Sequence, residues 1–384
     1  MKLVSATLYA LDLPFVEAFR HSLRERTSGD SIVVRVRDED GNEGFGEGVP
    51  RPYVTGESAE FMWEHLPRLW SAAAPRPLPE LDGPDVLAAV ADWLPPAPSL
   101  GILADNATRA CLETAALDCL LRGRGASLGH LLPPRRAKVI YSGVITAGLL
   151  EKALQQARRM KVIGLTQVKA KVGFEDDVAR VEALRETLGP AVSLRLDANG
   201  AWTFDRAREV LDHVARFEVA AVEQPLARGP AAELHRLRRE TTVPLMADES
   251  LVTLADAEDL IAAEAVDYFN VRVSKCGGLY RSLQIARRAA AAGVRVQVGS
   301  QVGETAILSA AGRHLAAHLD EVAFVEGSYG NLLLTEDVSH EAVRFGHRGE
   351  APPLTGAGLG IRVLEERLCK YARRTKQLFA EGAR

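Results

Sequence analysis

The chain has 384 residues, 47% apolar and 26% charged, the balance of a globular protein rather than a disordered or membrane-embedded one. Its formal net charge of -4 gives no electrostatic ground for binding nucleic acid, and its length exceeds one small core, so a large unit with a smaller companion is expected. No long apolar run precedes Asp12, so neither a signal peptide nor a membrane span is expected, and a cytoplasmic location follows by default. Cys111, Cys119, Cys276 and Cys369 form no Cys-x-x-Cys pair and read as reduced, mostly buried thiols.

The segment 15–26 reads as a loop over the mouth of a site, containing Phe19, Arg20, His21, Arg24 and Arg26, whose cations favour a second anionic group on a ligand. Ile32, Val34 and Val36 then alternate with Val33, Arg35 and Arg37, and Asp40-Gly41 turns the chain into Glu43-Gly44-Phe45-Gly46-Glu47-Gly48, an antiparallel meander. A helix is expected over 61–69. Pro75, Pro77 and Pro79 mark a linker or surface loop, and 106–122 repeats apolar residues at helical spacing. Residues 1–130 thus read as an α+β capping domain.

From Val139 the rhythm changes to strand, helix, strand. Strands are expected at 139–144, 166–171, 193–197, 221–223, 243–248, 268–275, 294–298 and 323–326. Helices fall between them at 149–160, 176–187, 204–214, 231–240, 254–262, 279–292 and 305–319. Eight strands and seven intervening helices define an α/β fold of the modified TIM-barrel type over 131–350. Residues 351–384 read as a C-terminal segment returning toward the cap and ending in a helix over 365–378.

Charged residues close successive barrel strands: Lys171, Asp197, Glu223, Asp248 and Lys275 are 26, 26, 25 and 27 residues apart. Asp197, Glu223 and Asp248 stand at the C-terminal strand ends, where barrel active sites form. Close-packed carboxylates repel one another, and a divalent cation offsets that repulsion. With no histidine or cysteine beside them the three suit Mg2+, with Mn2+ as second choice, better than zinc. The plainer reading, three acids capping strands against arginines, explains one such residue more economically than three in sequence. Asn199 stands two residues beyond Asp197 as a substrate contact or support, and Glu249 is placed to reach a lysine such as Lys275.

Lys169 and Lys171 share one face of their strand by period two, pointing into the mouth, with Lys275 across from them. A neighbouring ammonium and a divalent cation disfavour a lysine's charged form and so make it a usable base. Lys171 and Lys275 then face a substrate from two sides, with Lys169 beside its carboxylate. The chemistry that uses all these charges is removal of a proton α to a carboxylate through an enediolate.

The segments Lys169-Ala170-Lys171, Asp197-Ala198-Asn199, Glu223-Gln224-Pro225, Asp248-Glu249-Ser250 and Lys275-Cys276-Gly277-Gly278 together resemble the enolase superfamily, specifically its muconate-lactonizing-enzyme subgroup, over residues 3–365. The resemblance implies an α+β cap over a (β/α)7β barrel, Asp197, Glu223 and Asp248 as Mg2+ ligands, and Lys171 and Lys275 as the acid/base pair. It also implies a small-molecule carboxylate substrate and a homo-oligomer. Val296-Gln297-Val298-Gly299-Ser300 has no histidine, unlike the mandelate-racemase-like members; Gln297 and Ser300 remain candidate site residues there. Where dipeptide epimerases of the family carry Asp-x-Asp, this chain has Glu326-Gly327-Ser328. Tyr329-Gly330-Asn331-Leu332-Leu333-Leu334 resembles the Phe-Gly-Pro-Leu-Leu-Leu segment of cycloisomerases. Muconate-type cycloisomerisation is therefore set slightly ahead of dipeptide epimerisation or N-acylamino-acid racemisation, and a metal-binding barrel without turnover is the remote alternative.

Overall fold

The computed structural model describes residues 1–21, 24–83, 85–96 and 101–380, and for Arg20, His21, Arg24, Glu25 and Asn331 it describes the backbone. The chain opens with β1 (Leu3–Leu11), β2 (Leu13–His21), β3 (Arg24–Gly29), β4 (Ile32–Asp38) and β5 (Glu43–Gly48), followed by α1 (Ala59–Ala73), α2 (Val86–Trp93), α3 (Asn106–Gly123) and α4 (Leu128–Leu131). The described part of segment 15–26, expected as a loop, instead lies in the paired antiparallel strands β2 and β3, in which Phe19 pairs with Arg26 and His21 with Arg24.

α3 lies against β5 because β5 presents glycine at every second position. A Cβ on Gly44, Gly46 or Gly48 would overlap the α3 backbone at Cys119 and Ala115, at Cys111, and at Ala107 respectively. The alternation that marks a strand in the sequence therefore also sets the distance between sheet and helix.

Next come β6 (Val139–Ile140), β7 (Gly143–Ile145), α5 (Leu150–Ile163), β8 (Gln167–Lys171), α6 (Asp177–Leu188), β9 (Ser193–Asp197), α7 (Phe204–Val214), β10 (Ala221–Glu223), α8 (Ala231–Arg239) and β11 (Leu245–Ala247). They are followed by α9 (Leu254–Ala262), β12 (Tyr268–Val271), α10 (Leu279–Ala291), β13 (Arg295–Val298), α11 (Ala306–His318) and β14 (Phe324–Val325). Strands β7 to β14 pair in chain order into one parallel eight-stranded sheet. Its edges meet at a Tyr141–Val325 bridge, where the Ser142 amide donates to the Val325 carbonyl at 2.8 Å. The first expected strand is split, since β6 leaves the barrel to pair with β15 (Glu350–Ala351). On β8 and β9 the buried Val168, Ala170, Leu194 and Leu196 join the main apolar core, while the alternate Lys169, Lys171, Arg195 and Asp197 take the other face.

The chain ends with α12 (Glu365–Tyr371) and β16 (Ala372–Phe379). The helix expected to run to 378 stops at Tyr371, because β16 pairs antiparallel with β1, and that ladder overrides local helical preference. The N-terminal sheet thus has the order β16-β1-β4-β5. Among the described residues no helix is long and apolar enough to cross a membrane. A Gly46→Ala substitution is expected to force α3 off β5 and cost about 3 kcal/mol, read as a lowered urea midpoint with unchanged m-value.

Candidate active site

Neighbouring barrel strands place the expected residues side by side. Lys171 is paired in register with Asp197, and Asp197 with Glu223. Asp248 stands one residue past β11 and Glu326 one past β14. Lys275, expected to close its strand, lies four residues beyond the end of β12, in a turn whose Cys276 amide donates back to the Arg272 carbonyl at 2.9 Å.

Each acid is turned toward a basic side chain. Lys169 Nζ sits 3.1 Å from Asp197 Oδ2, 3.0 Å from Glu223 Oε2 and 2.8 Å from Glu326 Oε2. Lys171 donates to Asp197 Oδ2 at 2.6 Å and to Asn199 Oδ1 at 2.8 Å. Arg272 bridges Glu223 Oε1, at 3.2 Å, and Asp248 Oδ2, while its Nη1 donates to Gln301 at 3.1 Å. Lys275 uses all three of its donors, on Asp248 Oδ1 at 2.7 Å, the Asp248 carbonyl at 2.8 Å and the Asn270 carbonyl at 2.7 Å. Among the described residues no three acidic, histidine or cysteine side chains converge as a metal cluster. The expected meeting of the three carboxylates at one point is thus replaced by a row in which Lys169 joins Asp197 to Glu223 and Arg272 joins Glu223 to Asp248. The donor set still suits a hard cation, being all carboxylate oxygen on adjacent strand ends, where Lys169 and Arg272 now supply the compensating positive charge.

The charges follow from this packing. Burial alone would raise every carboxyl here. Lys171 and Lys169 overcome it at Asp197, and Arg272 and Lys275 at Asp248, so both are held below the usual carboxylate range. Glu223 goes up, through burial and then the adjacent Asp197. Lys169 is pushed well up: burial opposes its charge, but Glu223, Glu326 and Asp197 outweigh it.

A cavity of about 830 Å³, counting its mouth, opens onto this row. Lys169, Lys171, Asn199, Glu249, Ser300, Glu326 and Ser328 line it, with Phe19 at the hairpin side. Gln297 is buried behind the row, donating to Glu223 Oε2 at 3.2 Å. Lys275 is fully buried, and Arg272 occupies the cavity wall on its side. The side chains of His21 and Arg24 lie outside the described residues. Glu249 does not reach Lys275 as expected; it accepts from Asn199 at 3.1 Å, because Asn199 leaves the strand in a left-handed turn, φ 47°, and reaches across. Glu326 is taken up by Lys169 and by Arg195, whose Nη2 lies 2.9 Å away, so its charge is satisfied inside the protein.

Sequence reasoning passed over Arg272, Arg195, Arg51 and Glu304. Arg272 carried a legible signal, since it stands two residues after the inward-facing Asn270 and so shares its side of the strand. Arg51 and Arg26 meet on the cavity wall, both donating to Asp30 Oδ1 at 2.9 and 2.7 Å, a contact between segments that no local pattern reveals.

Residues 152–367 match the family described as enolase C-terminal domain-like. The chain is 30% identical to the N-succinyl-L-Arg/Lys racemase of Bacillus cereus, covering 96% of this chain and 97% of the relative. The solved structure of the racemase from that organism superposes with a TM-score of 0.90 at 27% identity, covering 98% and 100% of the two chains. A hydrophobic dipeptide epimerase of Enterococcus faecalis is 31% identical over 94% of this chain and 99% of its own length. A dipeptide epimerase structure from that organism, described as complexed with Mg and L-Leu-L-Tyr, gives a TM-score of 0.85 at 27% identity over 94% and 100% of the chains. Muconate cycloisomerase 1-2 of Acinetobacter lwoffii is 30% identical over 98% and 97%.

Glu304, on the cavity wall, is raised by burial and then by Glu47 from 4.5 to about 8. Between those values the folded protein keeps a proton that the unfolded chain has released, so stability falls as pH rises through the window. Unfolding free energies of wild type and Glu304→Gln, measured from pH 5 to 9, are expected to diverge in favour of the variant up to about pH 8 and then run parallel.

Proposed function

The chain belongs to the enolase superfamily, in its muconate-lactonizing-enzyme subgroup, and is an isomerase of the cycloisomerase or racemase/epimerase kind; from that premise we propose that it moves a proton α to the carboxylate of an N-acylated amino acid. The observation that carries this reading is a row of three buried carboxylates bracketed by two buried lysines, Lys171 at the Asp197 end and Lys275 at the Asp248 end. Two amines at opposite ends suit a reaction that takes a proton from one face of a carbon and returns it to the other.

In this reading Asp197, Glu223 and Asp248 hold Mg2+, which supplies the positive charge that makes a proton beside a carboxylate acidic. Lys171, on the cavity wall, takes or gives the proton on the open side. Lys169, kept cationic by three acids, stabilises charge developing on the substrate carboxylate. Lys275, buried beside Asp248, would serve the opposite face.

Two features select the substrate class. Glu326 is neutralised by Lys169 and Arg195 and so makes a poor seat for a free ammonium, which disfavours an unblocked dipeptide. Arg26 and Arg51 line the same cavity, where they suit a polar or anionic end of an acyl group. That reverses the order read from sequence, where the 329–334 segment placed cycloisomerisation first. That segment lines the cavity through Tyr329, Gly330, Leu333 and Leu334, so muconate-type cycloisomerisation stands as the second reading.

N-acylamino acids and muconates incubated in D2O separate the two: deuterium at the α-carbon of recovered substrate supports racemisation, and a lactone formed without such exchange overturns it. Lys171→Ala is expected to lower turnover at least about 100-fold with little change in KM, as loss of an acid/base group does. Chelation with EDTA should abolish activity and Mg2+ restore it; calorimetric titration with Asp248→Asn should show binding weakened at least about tenfold.

A further inference from the structure

Lys275 stands in a turn that belongs to no strand, yet the backbone around it is gripped from the N-terminal part of the chain at three points. Asn106, the first residue of α3, is buried, and its Nδ2 donates to the Lys275 carbonyl at 2.7 Å and to the Val252 carbonyl at 2.8 Å. One amide thus ties the loop after Asp248 to the turn of Lys275. Two helical turns further on, the buried Glu113 carboxylate accepts from the Tyr280 amide at 3.1 Å and from the Leu279 amide, the start of α10. On the other side of Lys275, the Val49 amide donates to Ser274 Oγ at 3.0 Å.

The intervening glycines make this approach feasible. Gly278, at φ 110°, has the Glu113 carboxylate where a Cβ would stand, and Gly277, at φ 87°, would put a Cβ 2.8 Å from Asn106 Oδ1. At its other face α3 is seated on the glycines of β5, so the grip comes from an element that is itself fixed.

We infer that α3 is the positioning element for Lys275, with Asn106 as its principal positioning residue, helped by Glu113 and by Val49 on Ser274. Asn106 does not line the cavity and acts only through the turn. The inference rests on the acid/base role proposed above for Lys275. It requires that loosening the grip impair one face of the reaction and leave the face served by Lys171.

The test uses the full chain with Mg2+ and each enantiomer of an N-acylamino acid in D2O. Lys275→Ala identifies the enantiomer whose α-proton exchange depends on that lysine. Asn106→Leu, close in volume but without the amide, is expected to slow the same enantiomer's exchange about 100-fold, through kcat rather than KM, and the other's by less than about threefold. Backbone amide exchange in 274–280 should quicken at least about tenfold, while that of β8 stays unchanged. Ser274→Ala, which removes only the Val49 contact, should shift both readouts in the same direction by a smaller factor and serves if Asn106→Leu does not fold. Unchanged protection of 274–280, or equal loss of exchange from both enantiomers, overturns the inference. A wild type that exchanges no α-proton from any carboxylate overturns the proposed reaction instead, and amide exchange still decides whether α3 holds the turn.

Discussion

Charge compensation inside a closed space governs the barrel mouth. Asp197, Glu223, Asp248 and Glu326 are all buried, and an uncompensated carboxylate there would face a desolvation cost of several kcal/mol. The protein meets that cost with four basic side chains, Lys169, Lys171, Arg272 and Lys275, each touching at least one acid, and with Arg195 behind Glu326. Such an arrangement is poor at stabilising a fold, because ion pairs of this kind barely repay the loss of water and apolar side chains of the same size would do as well. Its place at the mouth of a barrel makes sense as stored electrostatics: charges of both signs are already desolvated where a charged substrate would arrive.

The compensation depends on strand register. A parallel sheet carries residues of neighbouring strands level with one another, so Lys169 lies beside Arg195, Lys171 beside Asp197, and Asp197 beside Glu223. A slip of one residue in β9 would turn Asp197 outward among the helices and Leu196 into the row. The apolar residues that alternate with the charged ones are thus what fixes the chemistry: Val168, Ala170, Leu194 and Leu196 are buried against the helices and leave the strands no second choice of face.

Much of this was legible in the sequence because it follows from local periodicity. Spacing placed the acids and Lys171 on successive strand ends, and strand alternation placed Lys169 with Lys171. What escaped depends on contacts between distant segments. The hairpin of 15–26 has no tight-turn signature, and its strands are defined by pairing with each other and by the bridge from Phe15 to Leu334. The final strand carries Arg373, Arg374 and Lys376, which suit a helix surface equally well; only the free edge of β1 decides. Glu249 and Asn199 find each other because Asn199 adopts positive φ, which neither residue type nor spacing announces. Arg272 was hidden by an over-long strand: extending β12 to Lys275 gave the role of strand-end cation to the wrong residue.

The two ends of the row are built differently. Four strand-end charges are placed by the barrel's own ladder, whereas Lys275 is placed by a turn, and turns carry no register. The geometry of one end of the row therefore rests on hydrogen bonds from outside the barrel, and the cap is more than a cover. The two glycines after Cys276 serve both the turn, at positive φ, and the close contact with α3, and α3 in turn needs the glycines of β5. Sequence features 231 and 232 residues apart, Gly46 and Gly277-Gly278, thus belong to one mechanical chain that ends at a lysine side chain. Changes in the cap that alter its seating on the barrel would reach the Lys275 end of the site before the Lys171 end, since Lys171 is carried by β8, whose neighbours on both sides are barrel strands.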